Sequence, residues 1–202
     1  MLNSLKTINL QAFVGPALST VISPGEIVCL SGSSGSGKSL LLRAIVDLDT
    51  HKGDVWFNNQ LASETPPTLW RKQVGYLPPT SFWWNDVVAN HFVKTADALV
   101  YMEALNIPKE AMDWQINRMS TGEKQRMSIV RMLCNQPKVL LLDEPTANLD
   151  LKTTHAVESM VINYTKMQNS SVIWVSHDLA QVKRVAKRHL AIDGNKITEQ
   201  PL

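Results

Sequence analysis

Apolar residues in this chain come in two rhythms. Continuous apolar runs fill Glu26–Ser31, Val74–Leu77, Val139–Leu142 and Val172–Ser176. All four read as strands, and the unbroken run Val139–Leu142 is the mark of a strand buried on both faces. Between them the spacing turns helical: Leu40–Val46, then Ala98, Tyr101, Met102 and Leu105 within Lys94–Leu105, then Val157, Met160, Val161 and Tyr164, then Leu179, Val182 and Ala186. Ile8–Leu10, Leu18–Ile22 and Asp54–Phe57 read as shorter strands, with turns at Pro24-Gly25 and Asn58-Asn59. Near the end, His189–Ile192 and Lys196–Thr198 flank Asp193-Gly194-Asn195, a hairpin signal. Strands alternating with helices predict an α/β fold, a largely parallel sheet flanked by helices with right-handed crossovers. The early strands predict a small antiparallel β-subdomain. Residues 79–134 predict a mostly helical insertion, so that 1–78 and 135–202 form the core of a single domain.

Chemistry enters where these elements meet. Gly32-Ser33-Ser34-Gly35-Ser36-Gly37-Lys38-Ser39 matches G-x-x-x-x-G-K-[ST] between an apolar strand and a helix. Its glycines let backbone N–H groups curl around phosphate oxygens. Lys38 is suited to neutralise phosphate charge, and the Ser39 hydroxyl to hold Mg²⁺. Asp143 and Glu144 stand at the C-terminal end of the run Val139–Leu142, where ligands bind in open α/β sheets. Asp143 is a candidate Mg²⁺ ligand and Glu144 a candidate general base. Ser120-Thr121-Gly122-Glu123 has the small residues of a helix N-terminus, a place to hold an anion. Ser120 and Glu123 also have the spacing of a capping box.

The order Gly32–Ser39, Met119–Arg126, Val139–Glu144, Asn148-Leu149-Asp150 and His177 resembles the ATP-binding cassette (ABC) ATPases, P-loop enzymes, over nearly the whole chain. The resemblance implies an ATPase that uses ATP and Mg²⁺. It implies that Asn148 and Asp150 belong to a D-loop crossing a dimer interface and that His177 contacts the γ-phosphate. Asp150 also fits a plain helix cap. Ser120, Thr121, Gly122 and Glu123 correspond to the signature, which acts on ATP held by a second cassette. A head-to-tail homodimer with two composite sites follows. Phe13, upstream of the phosphate loop, corresponds to the aromatic that stacks on adenine, or else packs in the β-subdomain core. Two positions depart from the family. Pro79 stands where a glutamine usually reaches Mg²⁺, and Thr121 stands where the signature has its first glycine. Phe82, Trp83 and Trp84 follow Pro79, where transporters receive a segment of a membrane subunit; core packing is the other reading of these aromatics.

Composition bounds the rest. With 202 residues and a net charge of +2, the chain fits one large domain and carries no basic surface for nucleic acid. No segment reaches the roughly 20 apolar residues that cross a bilayer. The start, MLNSLKTINLQAF, does not read as a signal peptide. Cys29 and Cys134 lack metal-like spacing, and Cys29 reads as a core residue. The expectation is a cytoplasmic ATP-hydrolysing subunit, peripheral on the inner face of the membrane through a separate integral permease. Within the family it is most similar to small cassettes with a separate permease, such as those for metal export. The alternative is a nucleotide-gated regulatory module of the cell-division type.

Overall fold

The computed structural model describes residues 4–93 and 95–202. The chain begins with β1 (Leu5–Gln11), β2 (Leu18–Ile22), β3 (Ile27–Gly32), α1 (Lys38–Ile45), β4 (Lys52–Phe57) and β5 (Gln60–Leu61). It continues through α2 (Pro67–Gln73), β6 (Val74–Leu77), α3 (Thr95–Ala104), α4 (Thr121–Cys134) and β7 (Val139–Asp143). It ends with α5 (Leu151–Gln168), β8 (Ser171–Val175), α6 (Leu179–Val185), β9 (Arg188–Asp193) and β10 (Lys196–Gln200). Short 3-10 turns fill much of the segment between β6 and α4. The helix expected from Lys94 starts at Thr95 among the described residues; Lys94 and Met1–Asn3 lie outside them.

The main sheet has the order β10-β9-β3-β8-β7-β6. Its first five strands in that order after β10 are parallel, and β10 closes the edge as a hairpin partner of β9. Consecutive residues of each central strand point to opposite faces, so an unbroken apolar run serves two cores at once. Cys29, Leu140, Leu142, Val172 and Trp174 pack against α3, α4, α5 and α6 on one face. Val28, Leu30, Leu141, Ile173 and Val175 face the other way, into a core shared with α1, Trp70 of α2 and the second sheet. Burial pushes the Cys29 thiol up to about 12, with the nearby Glu158 adding to it, as suits an unreactive core residue.

The second sheet is antiparallel, with the order β2-β1-β4-β5. β1 is longer than the expected Ile8–Leu10. Its register shifts at Asn9, whose backbone is left-handed at φ 47°. Gly53 accommodates that bulge, because a Cβ there would lie 2.2 Å from the Asn9 carbonyl oxygen. Two other expectations are corrected. α1 begins at Lys38 rather than Leu40. α6 ends at Val185, and its buried face is Gln181, Val182 and Val185, with Leu179 exposed. A buried glutamine interrupts the apolar pattern there because its side chain is fully hydrogen-bonded inside.

Candidate active site

β3, β8 and β7 lie side by side and parallel, so their C-terminal ends share one edge of the sheet. The phosphate loop leaves β3, His177 follows β8, and Asp143 ends β7. This adjacency brings together residues more than a hundred positions apart.

The loop returns to helix through Gly37, at φ 95°. A side chain there is excluded, since a Cβ would lie 2.6 Å from the Val14 carbonyl oxygen in the β1–β2 connection. α1 starts with no side-chain cap and no acidic residue in its first turn. Its first N–H groups are therefore left for an anion, and the helix dipole favours one. The Lys38 ammonium donates to the carbonyl oxygens of Gly32 at 2.8 Å and Ser33 at 2.9 Å. Burial lowers its pKa, while Glu144 and Asp143 pull it back up.

Asp143 is almost completely buried. Burial raises its pKa, against hydrogen bonds from Ser39 and Tyr76 that favour the ionised form. The Tyr76 hydroxyl donates to it over 3.1 Å. Glu144 has a left-handed backbone at φ 50°, a strain of about 1–3 kcal/mol of the kind that gathers at functional sites. Its carboxylate lies 2.8 Å from Nε2 of His177. Ser34, Gly35, Gly37, Lys38, Ser39, Glu144 and His177 line one cavity of about 210 Å³. Ser39 and Asp143 give the hydroxyl and carboxylate that Mg²⁺ accepts beside phosphate oxygens and retained water.

Ser120, Thr121, Gly122 and Glu123 do not line that cavity. They open α4, where Ser120 Oγ accepts from the Glu123 N–H at 3.2 Å and the Glu123 carboxylate accepts from the Ser120 N–H at 2.8 Å. The side-chain and backbone hydrogen bonds from Ser120 hold the Glu123 carboxyl below its usual range. Asp150 caps α5 by accepting from the Thr153 N–H at 3.0 Å. Leu149 and the Asn148 carbonyl border Gly122, so the segment before α5 lies against the start of α4 in the same chain.

Phe13 is 94% exposed, which excludes the core-packing reading. It borders a cavity of about 400 Å³ with Thr50, His51 and Lys52. Pro79 is exposed, and neither it nor Thr80 or Ser81 lines the phosphate-loop cavity. The three aromatics after it divide: Trp83 is half-buried against the core, whereas Phe82 and Trp84 are exposed. The Arg131 guanidinium lies over the rings of Trp83 and Trp84, 4.3 and 4.9 Å from their centroids. Sequence reasoning missed Tyr76, Gln125 and Gln181. Gln125 is buried and donates to the Pro145 carbonyl at 3.3 Å, which ties α4 to the segment after Glu144. A polar residue inside an otherwise apolar face was the available signal.

A family model described as ABC transporter matches residues 17–147. The chain is 33% identical to the probable iron export ATP-binding protein FetA of Escherichia coli (strain K12), over 81% of this chain and 77% of that protein. It is 31% identical to the phosphate import ATP-binding protein PstB of Aeropyrum pernix, over 87% of this chain and 79% of that protein. Its fold matches a bacterial Atm1-family ABC exporter with ATP bound, at TM-score 0.87 and 22% identity, over 98% of this chain. The chain spans 38% of that exporter chain's length. It matches the ATP-binding subunit of an ABC transporter at TM-score 0.87 and 20% identity, over 98% of this chain and 90% of the other. A sheet edge that gathers a phosphate loop with an Asp-Glu pair, and a family match that covers most of the chain, lead to one conclusion: the protein belongs to the ABC transporter family, as an ATP-binding subunit with ATPase activity.

Proposed function

We propose that this subunit binds Mg-ATP at Gly32–Ser39 and hydrolyses it within a head-to-tail pair of identical chains, driving a separate membrane permease. One observation carries the reading. Lys38, Ser39, Glu144 and His177 share a cavity, while Ser120–Glu123 stand outside it. A chain that separates these two sets is completed by a second copy, whose α4 start closes over the nucleotide. Lys38 and the N-terminus of α1 hold the phosphates. Ser39 and Asp143 would hold Mg²⁺, which would offset phosphate charge. Glu144 takes the proton of the attacking water, and His177 holds Glu144 and reaches the γ-phosphate. Phe13 supports the base.

The permease side of the proposal rests on a groove of about 480 Å³ lined by Arg71, Lys72, Trp84, His91, Val93 and Arg131 among others, with no carboxylate in its lining among the described residues. Exposed aromatics and apolar residues beside cations suit a docking partner. No helix among the described residues is long and apolar enough to cross a membrane. The permease therefore supplies the membrane passage and selects the cargo, and this subunit works on the cytoplasmic face. The relatives include both an export and an import protein, as expected of a motor that does not choose direction.

Glu144→Gln tests the composite site. The variant is expected to keep ATP binding, lose turnover by at least about a hundredfold, and accumulate as an ATP-bound dimer in size-exclusion chromatography with light scattering. A variant that stays monomeric with excess Mg-ATP at high protein concentration removes the support for the paired site.

A further inference from the structure

We propose that Gln181 is a positioning residue for ATP hydrolysis, locking the turn that carries Glu144 to the loop that carries His177. The proposal rests on the ATPase reading of this site. Gln181 is 3% exposed and stands in the first turn of α6, four residues after His177. Its amide nitrogen donates to Thr146 Oγ1 at 3.0 Å and to Glu158 Oε1 at 2.9 Å. Its amide oxygen accepts from the Trp174 indole at 3.2 Å and from the Thr146 hydroxyl at 3.3 Å. Every hydrogen-bonding atom of the side chain is engaged.

The partners fix its orientation. An ionised carboxylate only accepts and an indole N–H only donates, so Glu158 and Trp174 admit the Gln181 amide one way round. Glu158 is itself buried on α5 and accepts from Arg184 Nε at 3.0 Å and Nη2 at 2.8 Å. Burial works against its charge, but the bonds from Arg184 and Gln181 outweigh it and keep the carboxyl below its usual range.

The other end of the lock is the turn after β7. Thr146 lies two residues beyond Glu144, inside a turn closed by bonds from the Ala147 N–H to the Glu144 carbonyl and from the Leu149 N–H to the Thr146 carbonyl. Glu144 and His177 meet at 2.8 Å. Gln181 and Thr146 meet below them, and all four residues line a second cavity of about 430 Å³. Two loops from different strands are thus pinned at two points, one reactive and one inert. Removing the inert pin lets the Glu144 carboxylate and its His177 partner drift, while Lys38 and the start of α1, which hold the phosphates, keep their places.

The test uses the full chain in steady-state ATPase assays. Gln181→Leu is expected to lower kcat by about tenfold with KM for ATP unchanged, since small misplacements of a catalytic group are costly. Gln181→Glu sets a carboxylate against Glu158 and is expected to be at least as slow. Adding Glu158→Gln to Gln181→Glu restores an amide-to-carboxylate bond and is expected to recover kcat. Thr146→Val, which breaks the lock from the side facing the turn, is expected to reproduce the kcat loss and covers the case in which Gln181→Leu does not fold. A purely structural role moves thermal stability without the split between kcat and KM and without the rescue. Wild-type kcat in Gln181→Leu or Thr146→Val, or failure of the exchanged pair to recover, overturns the proposal and leaves the ATPase assignment standing. Absence of hydrolysis by the wild-type chain overturns both.

Discussion

Two helices in this protein begin with small residues suited to an anion, and they treat their free N–H groups in opposite ways. α1 opens at Gly37 with no side-chain cap and no acid in its first turn, beside a buried lysine. α4 opens at Ser120 with a complete capping box, in which Ser120 Oγ accepts from the Glu123 N–H and the Glu123 carboxylate accepts from the Ser120 N–H. The first terminus lies in a cavity lined by its own chain; the second lies outside that cavity and makes its cap internally. An uncapped end can receive phosphate directly, whereas a capped end has to exchange an internal bond for an external one. In the proposed dimer that exchange makes grip by the signature conditional on ATP already held by the other copy.

The sharpest way to break this contrast is at α1. Lys38→Ala is expected to abolish ATP binding at micromolar nucleotide in calorimetry; undiminished binding would remove the phosphate-loop assignment. A middle-sized effect is expected at α4. Ser120→Ala costs about 1 kcal/mol of helix capping in urea unfolding. It is expected to leave the ATP affinity of the single chain intact while turnover and dimer formation fall. Loss of single-chain affinity as deep as that of Lys38→Ala would erase the distinction between the two termini.

The smallest expected effect is on stability, at Asp143. Its pKa is raised mainly by burial, so the folded chain holds that proton more tightly than the unfolded chain. The associated stability is present below the ordinary aspartate value and is lost as pH rises through the folded value. Near neutral pH the ionised carboxylate is therefore a net cost. Asp143→Asn is expected to raise the urea midpoint of the ligand-free protein there, with the gain vanishing below the usual carboxylate range. An unchanged or lower midpoint at neutral pH would mean that the bonds from Ser39 and Tyr76 already offset burial.

The strands were legible because a strand buried on both faces leaves a continuous apolar run, and β3, β7 and β8 each do. The phosphate loop and Glu144 were legible because they sit where such runs end. Contacts between distant elements were not. Tyr76 reads as one more residue of a strand, and only the pairing of β6 with β7 brings its hydroxyl to Asp143. Gln181 breaks the apolar spacing of α6, which shifted the expected face toward Leu179. Its burial depends on Thr146, Glu158 and Trp174, three residues from three other places in the chain. Phe82, Trp83 and Trp84 look alike in sequence, yet the backbone turns one inward and leaves two outside. Composition carries no record of that choice.

The close seat of Gly37 on Val14 has one more consequence. Phe13 precedes Val14 directly, so the contact at Gly37 ties the exposed ring to the phosphate loop through backbone alone. Backbone packed on backbone does not stretch as side chains do. The contact therefore fixes the backbone that carries Phe13 relative to the phosphate loop.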